Sequence, residues 1–272
     1  MLEIKNLTYR YAGSKKEVFN NFNLTLEDDK IYGLLGKNGT GKSTLLYLIT
    51  GLLRNKCGSI TYNGFDINKN RADILKEMFI VPEEFDLLSI SLDSYVKMNE
   101  KFYPNFSRDV LKACLNDFEL SEDINLKELS MGQKKKVYMS IALAANTNLL
   151  LMDEPTNGLD IPSKSQFRKV IANNMRSDRS IIISTHQVHD VESLLDHILI
   201  LDHSNLLLDA SVTDICDKYS FSYRSLGDSN EDVIYSEPSV QGNAVITNKQ
   251  QDEEETQLNL ELLFNAVTKK IL

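Results

Sequence analysis

The stretch Gly36-Lys-Asn-Gly-Thr-Gly41-Lys42-Ser43 constrains the fold of this chain more than any other. It carries glycine, glycine, lysine and serine at the spacing of a phosphate-binding loop. The apolar run Ile31–Leu35 precedes it, and Thr44-Leu-Leu-Tyr-Leu-Ile-Thr-Gly51 follows as a helix stopped by glycine. A strand, a glycine loop and a helix in that order belong to a layered α/β core. The glycines let the backbone turn its N–H groups inward around phosphate oxygens, and the helix N-terminus adds the positive end of its dipole. Gly36, Lys37, Asn38, Gly39, Thr40 and Gly41 form that cradle. Lys42 neutralises the β and γ phosphates as a point charge, the Ser43 hydroxyl ligates Mg²⁺, and Thr44 donates to the α phosphate.

Further aliphatic runs at Leu149–Met152, Ile181–Ile183 and Ile198–Leu201 are short and bounded by polar residues. That is the pattern of strands buried on both faces of a largely parallel sheet. Gly58-Ser-Ile-Thr-Tyr-Asn63-Gly64 alternates and ends in an Asn-Gly turn, which predicts an antiparallel β layer beside that sheet. From about 85 to 145 the pattern turns helical. Leu111, Cys114, Leu115 and Phe118 share one helix face, with Ser107 as N-cap and Asp109 in the first turn. This predicts a helical subdomain inserted into an α/β cassette of residues 1–210. Residues 211–272 are more polar and include the acidic run Asp252-Glu-Glu-Glu255. They predict a small accessory α+β appendage closed by a helix over Gln257–Ile271, with Leu258, Leu260, Leu262, Leu263 and Val267 as its apolar face.

Asn148-Leu-Leu-Leu-Met-Asp153-Glu154-Pro155 is a buried strand ending in two carboxylates. Open α/β sheets bind ligands at the carboxyl ends of their strands, so both acids fall near the phosphate loop. Asp153 is expected to orient the Mg²⁺ shell, and Glu154 to polarise a water for in-line attack on the γ phosphate.

The net charge of −9 over 272 residues argues against nucleic acid as a partner, which would need a basic face. Cys57, Cys114 and Cys216 are odd in number and far apart, which fits reduced thiols in a cytosolic protein better than a disulfide framework or a zinc site. The charged start Met1-Leu-Glu-Ile-Lys-Asn reads as a strand rather than a secretory signal. The longest apolar runs are too short to cross a bilayer, so work at a membrane requires another chain to hold this one there.

Four further stretches narrow the reading. Leu129-Ser-Met-Gly-Gln133 resembles the signature loop of ABC ATPases, and Asn157-Gly-Leu-Asp160 resembles their D-loop. Ser184-Thr-His186 resembles the end of their switch strand, and Tyr11, with Val18, resembles their adenine-stacking pair. Together with the phosphate loop and the acidic strand end, these follow the family's order from residue 9 to residue 186, the whole catalytic domain. The resemblance implies a P-loop NTPase of ABC type that binds ATP and Mg²⁺. It implies that His186 touches the γ phosphate and holds the attacking water with Glu154. It also implies that Ser130, Gly132, Gln133 and Asp160 reach the nucleotide of the opposite subunit in a head-to-tail homodimer or heterodimer. The run Lys134, Lys135 and Lys136 after the signature reads as a solvated helix face.

Two departures from the family stand out. Met131 occupies the signature position where a second glycine is usual, and Glu83 occupies the position usual for glutamine in the loop joining the subdomains. Glu83 is a harder oxygen ligand and is expected to reach Mg²⁺. Phe85, Leu87 and Leu88 follow it where the family docks its membrane subunits, so they read as a permease contact or as subdomain core. Tyr103-Pro-Asn-Phe106 and Leu129–Lys136 resemble most the subunits of bacterial exporters with two-chain architecture. The chain has one cassette and no long coiled-coil insertion, unlike the ribosome-acting and DNA-repair members. The favoured reading is therefore a transport ATPase, cytoplasmic and peripheral on the membrane's cytoplasmic face, coupled to a separate membrane-spanning permease subunit. The alternative is a soluble ABC ATPase acting as a nucleotide-gated module, which is expected to carry a damaged Glu154 or His186. His189, His197 and His203 read as structural.

Overall fold

A computed structural model describes residues 1–69, 71–225, 228–240, 242–250, 253–254 and 256–272. Of the acidic run, Asp252 and Glu255 lie outside the described residues. Among the described residues, three sheets organise the fold. The first is antiparallel, in the order β2-β1-β4-β5, with β1 at Leu2–Tyr9, β2 at Phe19–Leu26, β4 at Cys57–Tyr62 and β5 at Phe65–Asp66. Asn63 and Gly64 join β4 to β5 with φ of 50° and 80°. Both central residues are left-handed, the conformation that matches hairpin twist and that Asn-Gly adopts at least cost.

The second sheet, in the order β10-β9-β3-β8-β7-β6, holds the predicted buried strands. They are β3 (Ile31–Leu35), β7 (Leu149–Asp153), β8 (Ser180–Thr185) and β9 (His197–Asp202), joined by β6 (Met78–Val81), which the sequence did not mark, and all five are parallel; β10 (Asn205–Ser211) closes the edge antiparallel to β9. Every residue of β3, β7 and β8 is buried, which is why these strands read as continuous aliphatic runs rather than alternating ones. On one face, α1 (Lys42–Ile49) inserts Leu45, Leu46, Leu48 and Ile49 between the parallel sheet and the antiparallel layer. The short α2 (Arg71–Leu75) leads into β6.

The opposite face packs the helices: α3 (Leu92–Asn99), α4 (Arg108–Asp117), α5 (Met131–Ala144) and α6 (Ile161–Asn173). The Ser107 hydroxyl accepts from Val110 N at 3.2 Å and caps α4, whose Leu111, Cys114 and Leu115 are buried together with Phe118. Arg179, 1% exposed, ties this layer together by donating to the carbonyls of Leu143, Thr147 and Asn174; burial pushes its pKa down to about 10.

The C-terminal region adds α7 (Val212–Lys218), a third sheet β11-β13-β12 (Tyr219–Arg224, Gly242–Asn248 and Val233–Ser239, all antiparallel neighbours) and α8 (Leu260–Thr268). The last helix is shorter than the predicted Gln257–Ile271. Asn259 takes extended backbone and its side chain accepts from Leu262 N at 3.0 Å, so the helix starts there, and Lys270 with φ 58° ends it. Leu260, Leu262, Leu263, Ala266 and Val267 are buried, and they join the same apolar cluster as Val188, Val191, Ile198 and Ile200 of the cassette. Among the described residues no helix is long and apolar enough to cross a membrane.

Candidate nucleotide site

The loop between β3 and α1 is built by close approach. A Cβ on Gly36 would stand 2.6 Å from the Leu201 carbonyl oxygen, so only glycine lets the loop leave β3 beside β9. The Thr40 hydroxyl donates to the Lys37 carbonyl at 2.9 Å and closes the turn. Lys42 is buried, and its ammonium donates to the carbonyls of Gly36 at 2.7 Å and Lys37 at 3.3 Å. Burial pushes the Lys42 pKa down, while the charges of Glu154 and Asp153 work the other way. A cleft of about 350 Å³ brings together Tyr11, Val18, Asn38, Gly39, Gly41–Thr44, Glu83 and Glu154. The Tyr11 hydroxyl shares a 2.9 Å hydrogen bond with the Thr44 hydroxyl, and its ring, 42% exposed, stands at the rim where an apolar base would stack.

Both acids stand at the end of β7, in register with the end of β8. Asp153 is 1% exposed; burial raises its pKa, and the hydroxyls of Ser184 and Ser43 oppose that shift. Ser184 donates to Asp153 Oδ1, whereas Oδ2 is buried with no hydrogen-bond partner. A buried, orphaned carboxylate oxygen beside a serine hydroxyl fits a hard cation. Among the described residues no three His, Cys, Asp or Glu side chains cluster as a metal cage. Mg²⁺ in such sites takes one or two protein oxygens and completes its shell with phosphates and water. Ser43 and Asp153 would hold it.

Glu154 begins a tight turn with φ 46°, a conformation costly for a non-glycine residue and found where function demands it. Its N–H donates to the Ser184 carbonyl at 2.9 Å. Its carboxylate is gripped from two sides: Oε1 lies 2.8 Å from His186 Nδ1 and 3.7 Å from Lys42 Nζ, while Oε2 accepts from the Thr185 hydroxyl at 3.0 Å. The sequence reading missed Thr185 and Ser184 as site residues. Their signal was position, since they end β8 opposite Asp153 and just before His186. Glu83 accepts from the Asn157 side-chain amide at 2.9 Å, so the loop joining the subdomains is tied to the turn after Glu154.

The residues expected to act across a dimer do not line the cleft of their own chain. Ser130 caps α5 in a reciprocal box with Gln133: the serine hydroxyl accepts from Gln133 N at 3.3 Å, and Gln133 Oε1 accepts from Ser130 N at 3.0 Å. Met131 is 55% exposed, and a Cβ on Gly132 would meet nothing closer than 3.8 Å. Asp160 is exposed and caps α6, accepting from Ser163 N at 2.9 Å; hydrogen bonds from Ser163 hold its carboxyl below the usual range.

Two expectations need correction or division. The solvated lysine face is wrong at Lys135: it is buried, with its ammonium on the carbonyls of Asn157 at 2.8 Å and Glu154 at 3.3 Å. Lys136 is partly buried and donates to Gln166 at 2.8 Å. The apolar trio divides: Phe85 stacks on Tyr138 with ring centroids 4.5 Å apart and Leu87 is buried, while Leu88 is 52% exposed. Of the remaining histidines, His189 pairs with Glu261 and His197 with Asp209, each at 2.6 Å.

Comparison with known proteins agrees with this geometry. The sequence model of the family described as "ABC transporter" matches residues 19–157. The lantibiotic transport ATP-binding protein SrtF of Streptococcus pyogenes is 31% identical over 211 residues, covering 77% of this chain and 90% of that protein. The ABC transporter ATP-binding protein YtrB of Bacillus subtilis (strain 168) is 29% identical over 208 residues, covering 76% and 70%. Among solved structures, an ATP-binding subunit of an ABC transporter superposes with TM-score 0.70 at 24% identity, over 79% of this chain and 91% of that one. A likeness at that identity speaks to the fold alone. With its phosphate loop, acid pair and signature loop in place and the family's model matched over half its length, this chain belongs to the ABC transporter family as an ATP-binding, ATP-hydrolysing subunit.

Proposed function

We propose that the chain hydrolyses Mg²⁺-ATP in a head-to-tail dimer and drives transport through a separate membrane-spanning subunit. The carrying observation is the Glu154 carboxylate, held by Thr185 and His186 3.7 Å from the phosphate-loop lysine. A carboxylate so placed is poised to accept a proton from a water attacking the γ phosphate, and His186 orients it. Lys42 neutralises phosphate charge, and Ser43 and Asp153 would hold Mg²⁺, which when bound would supply further charge neutralisation. Tyr11 and Val18 receive the adenine.

Ser130 and Gly132 support the dimer. Ser130 caps and Gly132 lies in the first turn of α5, a helix of 14 residues whose start does not line the cleft of its own chain. Such an end favours an anion, here the γ phosphate held by a second cassette. Transport is supported by relatives named for it, SrtF among them. Leu88, Met98 and Phe102, each more than half exposed in the segment after Glu83, offer the apolar surface for the membrane partner. The intact Glu154 and His186 weigh against a nucleotide-gated module without turnover.

The test is a protein-concentration series of steady-state ATPase activity beside Glu154→Gln. Rising specific activity for the native chain, and an ATP-dependent stable dimer for the variant, are expected. A flat profile with a monomeric variant would overturn the dimer reading.

A further inference from the structure

Lys135 is a charge the roles above do not use. The residue is 8% exposed, a depth that lysine rarely enters. Burial disfavours its ammonium, and the neighbouring carboxylates Glu83, Glu154 and Asp153 offset part of that cost. What it binds is specific. The ammonium donates to the carbonyl of Asn157 at 2.8 Å and to that of Glu154 at 3.3 Å. These carbonyls bracket the turn that begins at Glu154 with φ 46° and continues into Asn157-Gly-Leu-Asp160. Across the same turn the Asn157 amide donates to Glu83 at 2.9 Å.

One lysine on the second turn of α5 therefore links three parts of the site. It holds the peptide of the hydrolytic carboxylate, the turn that leads to Asp160 and, through Asn157, the side chain of Glu83. The other end of the link is Ser130, five residues earlier on the same helix, where the second cassette's nucleotide is proposed to engage. We infer that Lys135 is a positioning residue for Glu154, coupling the helix that meets the partner's nucleotide to the aim of the carboxylate in its own cleft. A lysine suits this work because its long apolar stem tolerates burial, and its three donors can serve two carbonyls at once. The inference rests on Glu154 being the hydrolytic carboxylate.

The experiment compares Lys135→Met, Lys135→Arg, Glu154→Gln and the Lys135→Met/Glu154→Gln double variant, by ATP dissociation constant and by turnover. A displaced carboxylate loses rate without losing ligand. Lys135→Met should lower kcat by about 100-fold while the ATP Kd stays within about twofold, and Lys135→Arg should recover most of the rate. In the Glu154→Gln background, Lys135→Met should cost nothing more, because both changes act on one group. Native turnover in Lys135→Met overturns the inference, and so does a parallel loss of affinity and rate, which marks a core residue. If Lys135→Met fails to fold, Lys135→Gln decides: a reduced kcat with unchanged Kd supports the inference, and native kcat overturns it. Native turnover in Glu154→Gln would sink the role of Glu154 itself, a separate failure.

Discussion

In the cassette, the phosphate loop, Asp153 and Glu154, and His186 all stand at or just past the carboxyl ends of parallel strands β3, β7 and β8. In residues 212–272 the sheet is antiparallel, and the buried helix α8 packs against the segment just beyond His186. His189 pairs with Glu261, and Glu192 accepts from Leu260 N at 2.6 Å. One region is organised by the chemistry it points at a ligand, the other by the apolar face it covers. At the site, Gly36 is required by close approach and Glu154 takes a positive φ, while α8 is an amphipathic helix with an Asn cap whose buried residues join the cassette core. A region that carries chemistry should lose rate or affinity when altered, and a region that carries packing should lose stability first.

The largest separation comes from Glu154→Gln. Loss of a positioned base lowers kcat by about 10²–10⁴-fold with ATP binding retained, measured by single-turnover cleavage beside equilibrium binding. On the other side, Leu263→Ala removes a side chain 1% exposed in α8. Denaturant unfolding should show a loss of about 2–5 kcal/mol. ATP affinity should be unchanged, and parallel loss of affinity would make α8 part of the site.

Next is Lys42→Ala, which removes charged donors from the phosphate cradle. About 1.5–3 kcal/mol corresponds to an ATP Kd roughly 10- to 150-fold weaker by titration calorimetry. A smaller effect separates buried from exposed charge. Burial lowers the folded-state pKa of Lys135 below its ordinary 10.5. Between those two values the unfolded chain binds more protons than the folded one, so stability from this group rises with pH. The stability difference between native chain and Lys135→Met should therefore grow in favour of the native chain as pH rises toward the ordinary lysine value of 10.5. Smallest is Glu261→Gln. The His189–Glu261 pair is mostly exposed, so its loss should change unfolding free energy by less than about 1 kcal/mol.

Much of the catalytic end was legible because its residues do what only their types can do. A lysine and serine after a glycine loop, or Asp-Glu after a buried strand, announce their chemistry wherever they are placed. Lys135 was not legible in that way. Read as one of three consecutive lysines it looked solvated, and only the helix phase, with buried Met139 and Ala142 at i+4 and i+7, turns it inward. Thr185 and Ser184 were hidden by their ordinary character as strand residues, since their role comes from register with Asp153. The ends of α8 were misjudged because Asn259 and Lys270 set them by backbone conformation rather than by apolar spacing. Its seat against the His186 segment depends on contacts about 70 residues apart, which no local pattern reports.

The central claim is a catalytic site completed by a second copy of the chain. It is tested most directly by mixing two inactive variants, Lys42→Ala and Ser130→Arg. Each fails alone, one lacking the phosphate lysine and the other the helix end that faces the partner's nucleotide. A mixed dimer pairs the intact cleft of the Ser130→Arg chain with the intact signature loop of the Lys42→Ala chain. An equal mixture should regain ATPase activity, about a quarter of the native rate if half the dimers are mixed and each has one working site. A mixture as silent as its components would contradict the shared site.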